Sequence, residues 1–305
     1  MEVRDRVLGS VLGLALGDAA GAPFEFLRAA NVPEPAPLFD LPWMDLPPGS
    51  TTDDTAMARN LVLSLAACDG LDPDDLVRRH LEWFSSDPPD VGTLTRRVLK
   101  RVADGQQAAD AALRIWLERG PEVSAGNGSV MYCAPLGVAY AHRPDQLEHL
   151  APRLSALTHV DERCRTAVLA VTLTVASLVR GEDRQTAART AVDAALPREG
   201  GEELEFLVEA VGRSRAIDGP DQGFCLFTAA AALQALVASD GFEPAIRHVI
   251  GMGGDTDTNA AVTGALLGAS VGASGLPPAW LDRLQGRTEI LAEAERLVPL
   301  AGRTS

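Results

Sequence analysis

An all-α fold, a single compact multi-helix domain over residues 1–305, is what the sequence predicts, and three observations predict it. The 305 residues include 48 alanines, and alanine is the best intrinsic helix former. Only 2 Tyr and 8 Phe are present, whereas strands draw on aromatic and β-branched residues. Apolar residues recur at three- and four-residue spacing almost throughout, and no run alternates with period two for long. With 46% hydrophobic residues, 23% charged residues and a mean hydropathy of +0.04, the composition excludes general disorder, a collagen repeat and a coiled-coil rod.

The apolar spacing places the first helix over 3–18. Gly9, Gly13, Gly17 and Gly21 are spaced by four, which puts them on one helix face. Glycine costs a helix about 1 kcal/mol relative to alanine, so such a stripe predicts close approach of another helix. Pro33 to Pro48 holds six prolines with Phe39 and Trp43 between them, which predicts an ordered surface loop and not a domain linker. Helices follow over 54–68, 73–85, 92–102 and 106–118, punctuated by Pro73, Gly105 and Gly120-Pro121. Three more are placed over 128–141, 145–157 and 161–180, the last stopped by Gly181. Helices over 184–195 and 202–212 flank Gly200-Gly201, and Gly219-Pro220 precedes those over 224–239 and 243–250. The final two span 257–272 and 287–298, and the first of these carries a second stripe, Gly264, Gly268 and Gly272.

Charge narrows the function. The 27 Lys and Arg against 42 Asp and Glu leave a net −15, a field that repels a phosphate backbone, so general nucleic-acid binding is not expected. An anionic small molecule would need backbone amides, local arginines or divalent cations to overcome that field. Cys68, Cys133, Cys164 and Cys225 are widely separated and each sits in an apolar stretch, which predicts reduced core thiols, not disulfides or zinc ligands. Arg4 and Arg6 followed by Val7 to Gly17 imitate a secretory signal, but Glu2 and Asp5 dilute the basic end and Asp18 interrupts the small-residue end. No segment stands out as 18 strongly apolar residues: the uncharged stretch from Ala260 to Trp280 is rich in Gly, Ala and Ser and contains Pro277-Pro278. The expectation is a cytoplasmic monomer with no membrane contact.

Two acidic clusters carry the chemistry. Gly49-Ser50-Thr51-Thr52-Asp53-Asp54-Thr55 precedes the apolar run from Ala56 to Ala67. A Ser or Thr cap and acidic residues in the first turn suit a helix start. Capping accounts for one or two of these residues, however, and two adjacent carboxylates among hydroxyls call for a cation. Gly251 to Asn259, with Asp255, Asp257 and Thr258, repeats the pattern before Ala260 to Val271. Residues two apart on a helix diverge by about 200°, so Asp255 and Asp257 converge only if Asp255 lies in the turn that Gly253 and Gly254 permit. Carboxylate and hydroxyl donors without nearby His or Cys suit Mg²⁺ or Mn²⁺ better than zinc.

Five segments together resemble the ADP-ribosylglycohydrolase family, which includes the dinitrogenase reductase-activating glycohydrolases. They are Leu16 to Glu25, Thr52-Asp53-Asp54-Thr55, Gly126 to Met131, Thr158-His159 followed by Asp161, and Gly253 to Thr258. They occur in the family's order, and the resemblance runs from about residue 5 to 285. A signal cleaved near Ala22 would cut through the first segment.

The resemblance implies hydrolysis of the glycosidic bond between ADP-ribose and a modified target. It implies a two-ion Mg²⁺ or Mn²⁺ centre with Thr52, Asp53 and Asp54 on one side and Asp255, Asp257 and Thr258 on the other. Gly126, Asn127, Gly128, Ser129 and Met131 then belong to an ADP-ribose-binding loop, whose small residues and free N–H groups suit a diphosphate. His159 would lie beside the nucleotide instead of capping the helix that follows. Glu25 matches an acidic residue near the metals, and Asp90 matches a segment that delivers a catalytic aspartate. Both stand apart from other carboxylates along the chain, which makes them the acid–base candidates. The sequence departs from the commoner pattern at Tyr132, where many relatives have a basic residue, and this bears on the bound group.

The implied partner is the ADP-ribose moiety of a modified protein or small molecule. Two alternatives stay open at this point. One is a hydrolase of free ADP-ribose derivatives or another nucleotide sugar; the other is a non-catalytic member that binds ADP-ribose or serves structure. The four crowded carboxylates Asp53, Asp54, Asp255 and Asp257 argue against the second.

Overall fold

The computed structural model describes residues 1–303. The chain enters through α1 (Val3–Gly21), and a long segment with two short 3-10 turns leads to α2 (Asp53–Cys68) and α3 (Pro73–Ser85). Next come α4 (Thr93–Ala103), α5 (Ala108–Arg119), α6 (Ala134–Ala139), α7 (Pro144–Ser155) and α8 (Glu162–Arg180). The second half holds α9 (Arg184–Ala195), α10 (Gly201–Ala210), α11 (Cys225–Ala238), α12 (Phe242–Gly251) and α13 (Thr256–Val271). Three short helices close the chain: α14 (Pro278–Leu281), α15 (Arg287–Glu295) and α16 (Val298–Ala301). Among the described residues the only β pairing is isolated bridges, so the fold is all-α as its composition predicts.

The two glycine stripes face each other. A Cβ added at Gly9 would strike the Gly268 carbonyl, one at Gly13 the Gly264 carbonyl, one at Gly17 the Ala260 carbonyl, and one at Gly21 the Thr256 carbonyl. The descending order of partners makes α1 and α13 antiparallel with their backbones nearly touching. Every residue from Val7 to Gly21 and from Thr256 to Ala269 is buried, and α2, α6, α8, α12 and α15 pack around the pair. One helical stretch, Val3–Phe24, does prove long and apolar enough to cross a membrane, contrary to the sequence expectation, yet 94% of its apolar window is buried in protein. A helix apolar on all sides is here the central strut of a core. α4 and α5 form a satellite around Val98, Ala111, Ala112 and Ile115.

Three expectations need correction. The helix expected over 128–141 is instead a series of turns followed by the short α6. The Asn127 carbonyl accepts both the Val130 and the Met131 amides, which closes a turn, and Pro135 starts a new helix in its first turn. The helix expected over 287–298 stops at Glu295, and Pro299 lies in the first turn of the separate α16. Cys68 is exposed at the end of α2, while Cys133, Cys164 and Cys225 are buried and unpaired. The Pro-rich loop is ordered as expected, anchored by buried Leu38, Phe39 and Trp43.

Candidate active site

Antiparallel packing of the stripes delivers the C-terminal end of α1 to the N-terminal end of α13, where the Thr256 hydroxyl donates to the Gly21 carbonyl at 2.9 Å. The turn before α13 uses Gly253 (φ 67) and Gly254 (φ 77), a left-handed geometry that favours glycine. The chain after α1 is stitched to this turn. The Phe26 amide donates to the Gly254 carbonyl at 2.7 Å, and the Gly254 amide to the Leu27 carbonyl at 2.8 Å. As a result one carboxylate oxygen each from Glu25, Asp255 and Asp257 lies within 4.8 Å of the others. Glu25, isolated along the chain, is thus a full member of the acidic cluster.

The start of α2 supplies the other side. Asp53 and Asp54 are buried in its first turn, where carboxylates suit the positive end of the helix. Thr52 is the cap, its hydroxyl accepting from the Asp54 amide at 3.2 Å. The whole turn hangs on Asp18 of α1, whose buried carboxylate accepts the Thr52 amide at 3.0 Å and the Thr55 amide at 3.1 Å. Asp54 joins the two clusters, because its Oδ2 accepts from the hydroxyls of Thr52 at 3.3 Å and Thr258 at 3.4 Å. Its Oδ1 is buried without any hydrogen-bond partner.

Asp90 reaches the site through Asp53. The Gly92 amide donates to Asp53 Oδ2 at 3.0 Å, which draws the Asp90 segment against α2 and leaves Asp90 half-buried beside Asp53. Gly92 is the cap residue of α4 and no side chain caps that helix, so capping does not employ Asp90. Likewise Asp255 occupies the cap position of α13 without a capping bond. Its Oδ2 accepts from Asn127 Nδ2 at 3.0 Å.

Among the described residues, none of Asp18, Glu25, Asp53, Asp54, Asp90, Asp255 and Asp257 forms an ion pair. Burial, reinforced by Asp255 and Asp90, pushes the Glu25 carboxyl up to about 8. Burial lifts Asp18 to about 6 even against the hydrogen bonds from Thr55 and Thr52. Asp53, Asp54 and Asp257 are also driven well above the ordinary carboxylate range, by burial first and by neighbouring carboxylates second. Uncompensated buried charge of this density is costly unless a cation or protons neutralise it. With oxygen-only donors and an unpartnered Asp54 oxygen, the set fits a hard divalent metal ion.

The loop from Gly126 to Met131 packs beside this set. Asn127 is fixed at three points: its amide donates to the Gly223 carbonyl at 3.0 Å, and its side chain donates to Thr228 Oγ1 and to Asp255, each at 3.0 Å. Thr228 passes its own proton to Asn259 Oδ1 at 2.8 Å, which ties the loop to α11 and α13. The amides of Gly128 and Ser129 have no protein acceptor among the described residues. The Ser129 side chain faces inward, 3.0 Å from the Ser155 hydroxyl, and Met131 is buried in the core. What these two residues can offer a ligand is backbone. His159 lies against the same loop: a Cβ at Gly126 would sit 3.6 Å from its Nε2 and one at Gly128 2.9 Å from its Cε1. Burial pulls its imidazole down to about 4, so it is neutral, and Asp161 caps α8 in its place. Tyr132 is fully buried with its ring edge-on to His80, so the departure from the commoner pattern falls in the core.

Sequence reasoning named Asp18, Thr55 and Asn259 inside its motifs without giving them a part in the site, and it missed Thr228. Asp18 had a visible signal, an ionisable residue inside an otherwise apolar glycine-striped helix. Thr228, in an alanine-rich helix 101 residues from Asn127, had none.

Comparison with known proteins identifies the family of the chain. A family model described as ADP-ribosylglycohydrolase matches residues 1–305. The ADP-ribosyl-[dinitrogen reductase] glycohydrolase of Rhodospirillum rubrum is 30% identical over 307 residues, covering 98% of each chain. The ADP-ribosylarginine hydrolase Tri1 of Pseudomonas putida (strain GB-1) is 29% identical, over 96% of this chain and 78% of that one. The ADP-ribosylhydrolase ARH3 of Homo sapiens is 27% identical, over 95% and 92%. A solved structure described as an ADP-ribosylglycohydrolase-related protein complex superposes with a TM-score of 0.80 and 35% identity, over 98% of this chain and 99% of that one.

Proposed function

Since the chain belongs to the ADP-ribosylglycohydrolase family, we propose that it hydrolyses the glycosidic bond linking ADP-ribose to a modified target, with two Mg²⁺ or Mn²⁺ ions held at the acidic cluster. The observation that carries this reading is that distant segments supply one acidic set: Glu25, Asp255 and Asp257 come together, Asp54 is joined to them through the Thr258 hydroxyl, and its other oxygen is buried with no protein group to satisfy it. Thr52, Asp53 and Asp54 would hold one ion and Asp255, Asp257 and Thr258 the other, with Glu25 shared at the Asp255 side. Bound metal would supply orientation of the distal ribose hydroxyls and an acidified water.

The protein's own groups account for the rest. Free amides at Gly128 and Ser129 suit the diphosphate, and neutral His159 packs beside them without adding charge. Cleavage develops oxocarbenium character at the anomeric carbon, which nearby carboxylates stabilise. The bond from that carbon to the acceptor breaks, water adds its hydroxyl there, and the acceptor takes the remaining proton. Asp90, unoccupied by capping and next to Asp53, would move that proton, while Glu25 joins the acidic set. Two divalent cations would offset four carboxylate charges, which lowers the negative field an anionic nucleotide meets in an acidic protein.

The test is a panel of arginine-linked and serine-linked ADP-ribosyl peptides, ADP-ribosylated DNA and free ADP-ribose derivatives, each assayed with Mg²⁺, Mn²⁺ and chelator. Metal-dependent release of ADP-ribose from a linked acceptor supports the reading. Turnover of free derivatives alone, or ADP-ribose binding without turnover, would replace it.

A further inference from the structure

The two ring nitrogens of His159 meet different surroundings. Nδ1 is turned to the protein, 2.8 Å from the Thr158 hydroxyl. Nε2 has no protein partner among the described residues, yet it is not sealed from solvent. It lies on the loop side of the ring, 3.6 Å from where a Cβ at Gly126 would sit and 3.2 Å from one at Gly128. A neutral imidazole carries its proton on one nitrogen and a lone pair on the other. Whether the loop meets a donor or an acceptor at Nε2 therefore depends on what Nδ1 is given.

Thr158 alone leaves that open, because a hydroxyl can donate to Nδ1 or accept from it. Tyr132 closes it. Its hydroxyl is fully buried and makes no fully formed hydrogen bond, and the hydroxyl beside it is that of Thr158. Tyr132, Thr158 and His159 thus form a row that can be polarised in two directions. If Nδ1 held the proton, Thr158 would turn its own proton toward Tyr132, and the phenol proton would be left in the core without an acceptor. His80, packed edge-on to the phenol ring, does not supply one: its Nδ1 faces Asn60 at 3.2 Å and its Nε2 is itself unpartnered. In the other direction the phenol donates to Thr158, Thr158 donates to the Nδ1 lone pair, and both hydroxyl protons have acceptors. An orphaned buried donor is a heavier cost than one unused lone pair.

We propose that Tyr132, acting through Thr158, is a positioning residue that holds His159 as the tautomer protonated at Nε2, so that the imidazole donates to the diphosphate of ADP-ribose at the loop from Gly126 to Met131. The inference rests on the ADP-ribose reading above. A diphosphate at neutral pH offers acceptors only, and a donor aimed at it makes a charge-assisted hydrogen bond. A lone pair at Nε2 would repel it instead. Tyr132, where the sequence departs from the commoner pattern, thereby bears on the bound group from inside the core.

The test uses the full Mg²⁺-loaded chain with Tyr132→Phe, which removes the hydroxyl and keeps the ring, and with Thr158→Val and Thr158→Ser. Nitrogen-15 NMR of the imidazoles, with His159 assigned by the signals lost in His159→Ala, reads the tautomer with no ligand present. Wild type and Thr158→Ser should show His159 protonated at Nε2 alone, and Tyr132→Phe and Thr158→Val should show a mixture. The Kd of ADP-ribose should rise by about tenfold in Thr158→Val, the lower end for a hydrogen bond to a charged group. It should rise by a smaller factor in Tyr132→Phe and stay close to wild type in Thr158→Ser. The Kd values of adenosine, which has no diphosphate, and of Mg²⁺ should not move. A wild-type His159 protonated at Nδ1, or a tautomer unchanged in Tyr132→Phe, would overturn the proposal. So would a released tautomer with unchanged ADP-ribose affinity. Equal losses of adenosine and ADP-ribose affinity would assign the two hydroxyls to the fold and overturn it as well. A wild type without affinity for ADP-ribose would overturn both this inference and the reading beneath it. The expected tautomers and affinities in a protein that binds ADP-ribose but cleaves no ADP-ribosyl bond would remove the hydrolase activity and support the role of Tyr132.

Discussion

Asp18 and Thr55 face each other across the contact of α1 and α2: the buried Asp18 carboxylate accepts both the amide and the hydroxyl of Thr55, and it accepts the Thr52 amide as well. One side chain thereby replaces water for the exposed donors of a buried helix start. Asp18→Ala leaves these donors unsatisfied at roughly 1–3 kcal/mol each, offset in part by removal of a buried charge. The expected outcome is a clearly lower Tm and weaker divalent-metal binding, with Asp18→Asn, which keeps one acceptor oxygen, falling in between. Thermal melts and calorimetric metal titrations check both. Wild-type metal affinity in Asp18→Ala would show that the turn needs no such anchor.

The second prediction concerns pH. Glu25 is raised from 4.5 to about 8, mainly by burial. A raised folded-state value means that its contribution to stability is full below about 4.5 and is lost as pH climbs through about 8. Asp18, raised to about 6, acts in the same direction. Metal-free protein should therefore lose Tm between pH 5 and pH 8, while saturating Mg²⁺ or Mn²⁺ should hold Tm nearly level across this range by mass action. Binding at pH 7 should also expel protons, visible as a buffer-dependent heat. A Tm gap between loaded and chelated protein that does not widen with pH would contradict the picture.

Much of this site is written in local sequence, and what is not depends on partners. Spacing by four reveals that Gly9, Gly13 and Gly17 share a face, and likewise Gly264 and Gly268, because helical periodicity fixes a face. It cannot reveal that the two faces meet, since each stripe would serve equally against any small-residue surface. The same limit applies to Glu25, which only the family resemblance put near the other acidic residues: its closeness to Asp255 comes from the bonds of Phe26 and Leu27 to Gly254, between segments over 220 residues apart. The helix expected over 128–141 failed for a different reason. Apolar spacing in Val130 to Tyr140 is genuine because the segment is core, but the Asn127 turn and Pro135 decide its backbone. Cys68 was misplaced because composition around it is apolar while its own position is on the outer face of the last turn of α2.

The third prediction separates metal ligation from proton transfer. Asp255→Asn removes a carboxylate from the set that includes Glu25 and Asp257, so metal affinity and turnover should fall together. Glu25→Gln should behave alike, because the structure groups Glu25 with those carboxylates. Asp90→Asn should keep metal binding, since Asp90 lies beyond Asp53, and should cut kcat by about 10² or more, the usual scale for a general acid or base. Metal titrations paired with turnover of one verified substrate distinguish the cases. An Asp90→Asn enzyme with wild-type kcat would remove Asp90 from the chemistry.

The last prediction addresses the loop from Gly126 to Met131 through one methyl group. Gly128 does not have a left-handed backbone, so alanine is acceptable to the chain itself. The obstacle is its surroundings: the new Cβ would lie 2.9 Å from His159 Cε1, 3.2 Å from Nε2 and 3.3 Å from Thr95 Oγ1. His159 has little room to retreat, being buried with Nδ1 2.8 Å from the Thr158 hydroxyl. Overpacking of this kind costs about 1–3 kcal/mol, and it falls on the amides of Gly128 and Ser129 and on the imidazole together. Asn127 holds Asp255 through its side chain, and that bond does not pass through Gly128. Gly128→Ala should therefore weaken ADP-ribose binding by about tenfold while metal affinity and the circular dichroism spectrum stay unchanged. Pairing it with His159→Ala discriminates further, since removing the ring makes space for the methyl. If His159 only crowds the loop, the double variant recovers ADP-ribose affinity; if its ring contacts the nucleotide, the double variant stays weak. Unchanged affinity in Gly128→Ala alone would place the diphosphate elsewhere.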